Sequence, residues 1–433
     1  MRSLLRLTAW TSILTAKVMG QIVVAHFMAQ NSYSYSQSDW ANDINSAKAT
    51  GIDGFALLLV HGSITVAEAS NFKLFFSFDL SPQYNWQADD IVHRIATYAN
   101  SPAMLRWNNH VLVSTFSGKS RGNDFFQGIK TSLAKQGIII ALAPALIEYR
   151  SPSLANQLLS DFPSIDGFFN WWSWPDDVNS LLTTDTDIAY KNAAHARGGP
   201  YIMSVSPWQF KNTDAGNAWV ELSDTLWSYR WHQAINDVKP DIVEIVTWND
   251  YGGVSRVVLP VNLTPVFAAE SHYIGDINPN VDLGTAAPNY VNGFPHAAWR
   301  IVAQYFIGWY KTGSAPKVTN DVVVFWYRSH PKSVSCSGGW APRMANFPAD
   351  AVFGLALLSS PATITLDIGS NHAQWNASAG DSIGSVAFPV QDAQIPYIQI
   401  VRNGQTVKSG YGSVFVTNNC NWYNFNPFVG VVA

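Results

Sequence analysis

An α/β chain, a (β/α)8 barrel followed by a C-terminal β-sandwich, is what the sequence predicts, and three observations predict it. Between Gln21 and about residue 250, eight short apolar runs alternate with polar, helix-compatible segments, the pattern of βα units around a parallel sheet. After about residue 315, strand signals follow one another with no helical segment between them. The length, 433 residues, is ample for a large barrel and a second domain. The expected division is a leader over 1–20, a barrel over 21–315 and a sandwich over 316–433.

The first run, 22–25, leads into a crossover where Ser38 or Asp39 can cap a helix. Its Trp40, Ile44 and Ala47 fall at i, i+4 and i+7, and Gly51 can end it. The second run, 54–59, is followed by a connection over 60–72 that is near the minimum for a βαβ crossover, so a stunted helix is expected there. Runs 73–78, 111–114, 138–141, 167–170, 201–205 and 242–247 bring the count to eight, the strand number of a (β/α)8 barrel. In the last quarter, runs 322–327, 352–357 and 362–366 read as strands. A hairpin is expected to turn at Asn403-Gly404 between 398–401 and Val407.

Charged residues make up 13% of the chain, about half the usual share, while 47% are hydrophobic and 13% aromatic, including 18 Trp. Disorder is excluded. A net charge of −4 without any basic run gives counterion release nothing to act through, so no nucleic-acid partner is expected. The first residues, a positive start and a short apolar stretch ending in Val18-Met19-Gly20, resemble a secretory signal cleaved before Gln21. No later segment reaches 18 apolar residues, so no membrane partner is expected either. A secreted, extracellular or cell-wall monomer follows, in a compartment where Cys336 and Cys420 can form one disulfide. Such a bridge closes a loop of more than 80 residues and contributes roughly 4 kcal/mol in the chain-entropy account; two buried free thiols are the alternative. Asn376-Ala377-Ser378 is a glycosylation signal on the surface of the sandwich.

In a parallel barrel the residues just after each strand form the active face. Here they are His26, Asn31, Tyr33 and Tyr35 after the first run, Asp79 after the third, and Asn170-Trp171-Trp172-Ser173-Trp174 after the sixth. Trp208 follows the seventh run, and Trp248-Asn249-Asp250-Tyr251-Gly252 follows the eighth. Rings of this kind stack on the C–H face of a sugar while amides take its hydroxyls, so a neutral, hydroxyl-rich ligand fits. Glycoside hydrolysis needs two carboxyl groups flanking the scissile bond, one protonated and one ionised. Asp79 and Asp250 are the rim acids, although either could instead tie down a loop or cap a helix. The ten His residues show no ligand-pair spacing, and neither HExxH nor a phosphate-binding loop occurs, so no metal and no cofactor is expected.

At these residues the chain resembles the fungal α-1,3-glucanases (mutanases) of glycoside hydrolase family 71. The matching stretches are Ala25-His26-Phe27-Met28, Asp53-Gly54-Phe55-Ala56-Leu57, Phe72 through Asp79, and Asp166 through Pro175. They continue with Tyr201 through Trp208, Thr247 through Gly252, Ala298-Trp299-Arg300 and Phe325-Trp326-Tyr327-Arg328, and so extend over nearly the whole chain. The resemblance implies an endo-acting, inverting hydrolase whose partner is α-1,3-glucan. His26, Tyr33, Asn170, Trp171, Trp172, Trp174, Trp208, Trp248, Asn249, Tyr251 and His272 would line its substrate cleft. Two other readings stay open: a glucan-binding pseudoenzyme, and a barrel glycosidase acting on another neutral glucan.

The family's motif runs Trp-Asn-Asp-aromatic-Gly-Glu-Ser, with its Asp and Glu as the catalytic pair, but here Gly252 is followed by Gly253. The missing continuation stands further on, as Glu270-Ser271-His272-Tyr273-Ile274-Gly275. Removing 253–269 restores the motif without a seam and makes Asp250 and Glu270 the pair, with Asp79 as a supporting acid. These 17 residues correspond to 51 nucleotides, and Gly and Glu codons both begin with G, which suits a GT-to-AG intron. The segment therefore reads as a translated, unspliced intron that should protrude, its Val257, Val258, Leu259, Val261 and Phe267 finding few core partners; a true lineage-specific loop is the alternative. With one Gly, one Asn and no Asp among its 17 residues, its composition is poor in the turn chemistry expected of a surface excursion.

Overall fold

Strands β1 (Ile22–His26), β2 (Gly54–Leu57), β3 (Lys73–Asp79), β4 (His110–Phe116), β5 (Ile140–Leu142), β6 (Phe168–Asn170), β7 (Tyr201–Val205) and β8 (Ile242–Ile245) form one curled parallel sheet. The computed structural model describes residues 21–57, 61–254, 267–270, 272–284 and 286–433, so the expected leader over 1–20 lies outside the described residues. The strands pair in the order β5-β4-β3-β2-β1-β8-β7-β6, with the short strand Arg106–Trp107 antiparallel to β4. The two ends of this order are consecutive in the chain, and Gly167 N and Phe169 N donate to Leu142 O (3.0 Å) and Pro144 O (3.1 Å) between them.

Helices α1 (Gln37–Thr50), α2 (His61–Ser70), α3 (Ala88–Tyr98), α4 (Gly122–Ala134), α5 (Ala155–Asp161), α6 (Asp185–His195), α7 (Leu226–His232) and α8 (Trp299–Thr312) accompany the sheet. Alternation along each strand sends one set of side chains to them and the other inward. Leu74, Phe76 and Phe78 of β3, for example, join the core beneath the helices, whereas Phe75 joins Val24, Ala56, Leu112, Ala141, Phe169, Ile202 and Ile242 in a separate inner cluster. In α1 the stripe of Trp40, Ile44 and Ala47 is buried as expected, and Gly51 closes the helix at φ 95°. The cap, however, is Ser36, two residues before the expected Ser38: its Oγ accepts from Asp39 N at 3.3 Å while Asp39 Oδ2 accepts from Ser36 N at 2.8 Å. This reciprocal pair satisfies two amides at once, which a cap at Ser38 would not. Helix α2 has ten residues, more than α5 or α7 with seven, so it is not stunted. It buries Ile64 and Ala67 in the core beneath the helices.

The last quarter builds two antiparallel sheets. Strands β9 (Val322–Tyr327), β10 (Ala351–Leu358), β11 (Ala362–Ile368), β12 (Asn371–Ala377), β13 (Gly380–Ala387), β14 (Tyr397–Arg402), β15 (Gln405–Tyr411) and β16 (Phe428–Val432) pair as β13-β10-β9-β16 and β12-β11-β14-β15. β9 is buried on both faces. Val323, Phe325 and Tyr327 meet Ile364, Leu366, Ile398 and Ile400 between the sheets, while Val322, Val324 and Trp326 join the core shared with the helices. The hairpin turns at Asn403 and Gly404, both at positive φ (51° and 74°), which their residue types tolerate. Cys336 and Cys420 are bonded, with Cα atoms 4.7 Å apart. Among the described residues no helix is long and apolar enough to cross a membrane.

The ends of 253–269 are not loose. Gly253 and Val254 pair with Ala268 and Phe267, and the strand Phe267–Glu270 continues by pairing Ala269 with Asn212 and Glu270 with Lys211 of the short strand Phe210–Asn212. The strand Phe210–Asn212 pairs with Ala218–Val220 on one side and takes the returning chain on the other. The segment between these ends, and with it Val257, Val258, Leu259 and Val261, lies outside the described residues, as do the side chains of Phe267 and Glu270.

Candidate functional site

The inner face of the curled sheet changes character along its strands. Ile22, Phe75, Leu112, Ile202 and Ile242 are apolar; one step towards the C-terminal ends lie Ser77, Ser114, Ser204 and Glu244, all buried. Glu244 has no solvent-exposed surface at all. Its Oε1 lies 2.8 Å from His26 Nδ1, while Oε2 has no hydrogen-bond partner among the described residues. Burial pushes this carboxyl above its ordinary range, opposed by the bond to His26. Above it sit His26, Asp79 and Trp171. The Trp171 ring meets His26 edge-on at 4.8 Å and Phe116 at 4.9 Å. Burial raises the Asp79 carboxyl too, opposed by hydrogen bonds from the Ser81 hydroxyl and amide (the latter 2.8 Å) and by His26.

Asp250 belongs to the turn that follows β8, and Thr247 organises that turn. Thr247 Oγ1 accepts from Asp250 N at 2.8 Å and donates to His272 O at 2.9 Å, and Thr247 N donates to the same carbonyl at 2.6 Å. His272 is thereby brought back against the motif, its Nε2 3.0 Å from Asp250 Oδ2, and its ring lies 5.2 Å from that of Trp174. The structure thus places the two sides of 253–269 side by side at their backbones. A buried carboxylate beside an imidazole at a strand C-terminus can exchange a proton with a bound group or orient a water.

Several residues expected to line a cleft are interior instead. Trp174, Trp208, Trp248 and Tyr251 are at most 2% exposed, which leaves no ring face for a sugar. Trp174 Nε1 donates to Trp208 O (3.2 Å) and Trp208 Nε1 to Phe425 O (3.0 Å), so both rings fasten the sheet to the last quarter of the chain. Asn249 is a splice between loops, accepting from Met28 N at 2.7 Å, with its carbonyl bonded by Asn31 Nδ2 at 2.8 Å. Asn170 points away from the inner face and donates to Asp187 Oδ1 at 3.0 Å. Among the aromatics, Trp171, Trp172 and Tyr33 keep open surface, Tyr33 being 62% exposed. Arg150 Cζ lies 3.2 Å from the centroid of the Trp172 ring, over one of its faces.

Two acids escape a reading of strand ends. Glu244 sits inside the run 242–247, where a charge among aliphatic neighbours at an inward position was the available signal. Glu221, nearly buried after the short strand Ala218–Val220, offered no signal in the sequence. Burial pushes its carboxyl up to about 8, opposed chiefly by Arg150. One group among the described residues, His330 with Cys336 and Cys420, has metal-ligand spacing, but its two sulfurs are bonded to each other and so give no thiolate.

The model of glycosyl hydrolase family 71 matches residues 19–433. The glucan endo-1,3-alpha-glucosidase agn1 of Schizosaccharomyces pombe is 32% identical over 95% of each chain. A mutanase of Penicillium rubens is 33% identical over 98% of this chain and 91% of that one, and the ascus wall endo-1,3-alpha-glucanase of Schizosaccharomyces pombe is 30% identical over 95% and 98%. Among solved structures, the GH99 endo-alpha-mannosidase from Bacteroides thetaiotaomicron superposes with a TM-score of 0.49 at 10% identity, over 68% of this chain and 99% of that one.

Proposed function

The chain belongs to glycosyl hydrolase family 71 and is a glycoside hydrolase, and from that premise we propose that it is a secreted, inverting endo-hydrolase of α-1,3-glucan. The single observation that carries this is the Asp250–His272 contact, since it draws the residue two after Glu270 onto the Trp-Asn-Asp turn despite 17 intervening residues. Asp250 and Glu270 are the acid/base pair, and inversion requires their carboxyls roughly 6.5–9.5 Å apart to admit a water. Asp79, with its raised carboxyl, assists from β3. Trp171, Trp172 and Tyr33 offer the rings on which glucose units stack. The curled sheet is a closed (β/α)8 barrel over 21–315, supported by the hydrogen bonds that join β5 to β6, and 316–433 is an accessory sandwich. The relatives' names, a mutanase and an ascus-wall enzyme, favour an extracellular or wall location.

The test is incubation with insoluble α-1,3-glucan of two proteins, the chain as written and one lacking 253–269. Oligosaccharides whose new reducing end first appears as the β-anomer are expected from the shortened protein, and no release from it would overturn the proposal. A second reading rests on the insertion itself: the chain as written binds glucan without turnover, because Glu270 no longer follows Gly252 directly. A panel of other neutral glucans separates linkage specificity from hydrolysis as such.

A further inference from the structure

We propose a second glucan-binding surface on the outer face of the sheet β12-β11-β14-β15, remote from the proposed active site. The sheet β13-β10-β9-β16 uses one face against the core shared with the helices and the other against this second sheet, so the outer face of the second sheet is left to solvent. The strand register sets its residues in rows. Tyr411 of edge strand β15 pairs with Tyr397 of β14, and the row continues through Asp367 of β11 to His372 of β12. The two tyrosine rings stack at 4.4 Å with planes 30° apart, and Tyr411 remains 68% exposed. In the next row Gln399 Nε2 donates to Thr365 Oγ1 at 3.2 Å.

The chemistry of these rows names the occupant. Their only ionisable groups besides the tyrosines, Asp367 and His372, are taken up with each other at 2.6 Å, so the rows present no cluster of charge to an ionic partner. What remains is a pair of rings and a set of amides and hydroxyls, which suits a neutral, hydroxyl-rich polymer: rings take C–H faces, amides take hydroxyls. A protein partner would call for a larger apolar patch than one tyrosine pair. Asn376, the glycosylation signal, stands on β12 opposite Thr363, at the corner diagonal to Tyr411, so a glycan there leaves the tyrosine edge open. On an insoluble substrate a second contact of this kind holds the enzyme at the surface and raises its effective concentration at the next chain. The polymer's identity as α-1,3-glucan rests on the function proposed above.

The experiment measures adsorption of the full chain to particles of insoluble α-1,3-glucan in the cold, beside hydrolysis of soluble α-1,3-gluco-oligosaccharides. Tyr397→Ala with Tyr411→Ala is expected to weaken adsorption about tenfold, the scale set by losing a stacking ring pair, while soluble hydrolysis and near-ultraviolet circular dichroism stay as in the parent. Tyr411→Phe, which keeps the ring, should adsorb like the parent. Unchanged adsorption of the double variant, or a parent that does not adsorb, overturns the inference, as does a loss no larger than the fraction of unfolded protein. If the parent adsorbs through the tyrosines yet releases no sugar from either substrate, the proposed activity fails and the binding surface stands.

Discussion

Two buried carboxylates flank the same sheet and are treated in opposite ways. Asp187, on α6 outside the strands, is completely tied: Arg230 reaches it through Nη1 (2.7 Å to Oδ2) and Nη2 (2.9 Å to Oδ1), with Tyr201 Oη (2.6 Å) and Asn170 Nδ2 (3.0 Å) added. Arg230 in turn spends its Nε on Ser204 O at 3.2 Å. Glu244, inside the curl of the sheet, has one oxygen on His26 and the other without a partner among the described residues. A buried polar group without a partner costs on the order of 1–3 kcal/mol, so a fold selected for stability alone would have closed Glu244 as it closed Asp187. The difference separates frame from proposed site: outside, the Asp187 charge fixes helix to strand; inside, the Glu244 charge is kept half-satisfied beneath the residues proposed to face the substrate.

The largest expected effect breaks the frame. Asp187→Ala leaves the Arg230 guanidinium buried without its counter-charge and should lower the unfolding free energy by about 3–5 kcal/mol. Urea unfolding measures it, and because the cluster does not face the inner cavity, activity per folded molecule should change far less than stability. A loss under about 1 kcal/mol would show that the network is not the strut described.

Breaking the inner carboxylate should give the reverse signature. Glu244→Gln can still accept from His26 Nδ1 but removes the negative charge, so the imidazole keeps its tautomer and loses its electrostatic support. A charge-assisted hydrogen bond contributes about 1.5–3 kcal/mol, which corresponds to a fall in kcat of roughly tenfold to a hundredfold with KM little altered. Stability should hold or rise, and should rise most above the window through which the folded carboxyl titrates. The Glu244 carboxyl is raised by burial, so between its ordinary and its raised value the folded state holds a proton that the unfolded state has lost, and stability declines as pH climbs through that window. The glutamine has no such decline. A variant that is both less stable and less active would place Glu244 in the frame with Asp187.

This contrast also explains what the sequence could and could not reveal. Strand β9 is legible because both faces are buried and its six residues form an unbroken apolar run. Strand β12 was not expected: its exposed face carries His372, Gln374 and Asn376, so Trp375 is the only large apolar residue in it. Asp250 stood out through its motif. Trp174, Trp208 and Trp248 were misplaced because a cluster of indoles reads alike whether it stacks a sugar or joins two halves of a molecule, and only burial distinguishes them. Asn170 shows a further limit: its place after an apolar run suggested the inner rim, and one residue of alternation sends it outward to Asp187.

Glu221 lies between the two extremes and sharpens the comparison by titration. It is nearly buried, and Arg150 is the foremost of the charges favouring its ionised form, with Arg343 behind it and Asp176 and Asp177 opposing. Arg150 is not its own, since that guanidinium also pairs with Asp176 and covers the Trp172 ring. With the folded carboxyl raised to about 8 from an ordinary 4.5, folded and unfolded chains hold equal protons below pH 4.5, the folded chain holds the extra proton between these values, and neither holds it well above 8. Stability therefore falls as pH rises across that window. Glu221→Gln is neutral throughout and should lose less on going from pH 5 to pH 8, by on the order of 1–3 kcal/mol once the shared Arg150 and solvent relaxation are allowed for. Urea unfolding of parent and variant at both pH values isolates this term, because the other raised acids, Asp43 and Asp224 near 6 together with Asp79 and Glu244, contribute equally to each protein. Parallel stability curves would mean that Glu221 is already ionised in the folded state, tied by Arg150 as Asp187 is by Arg230.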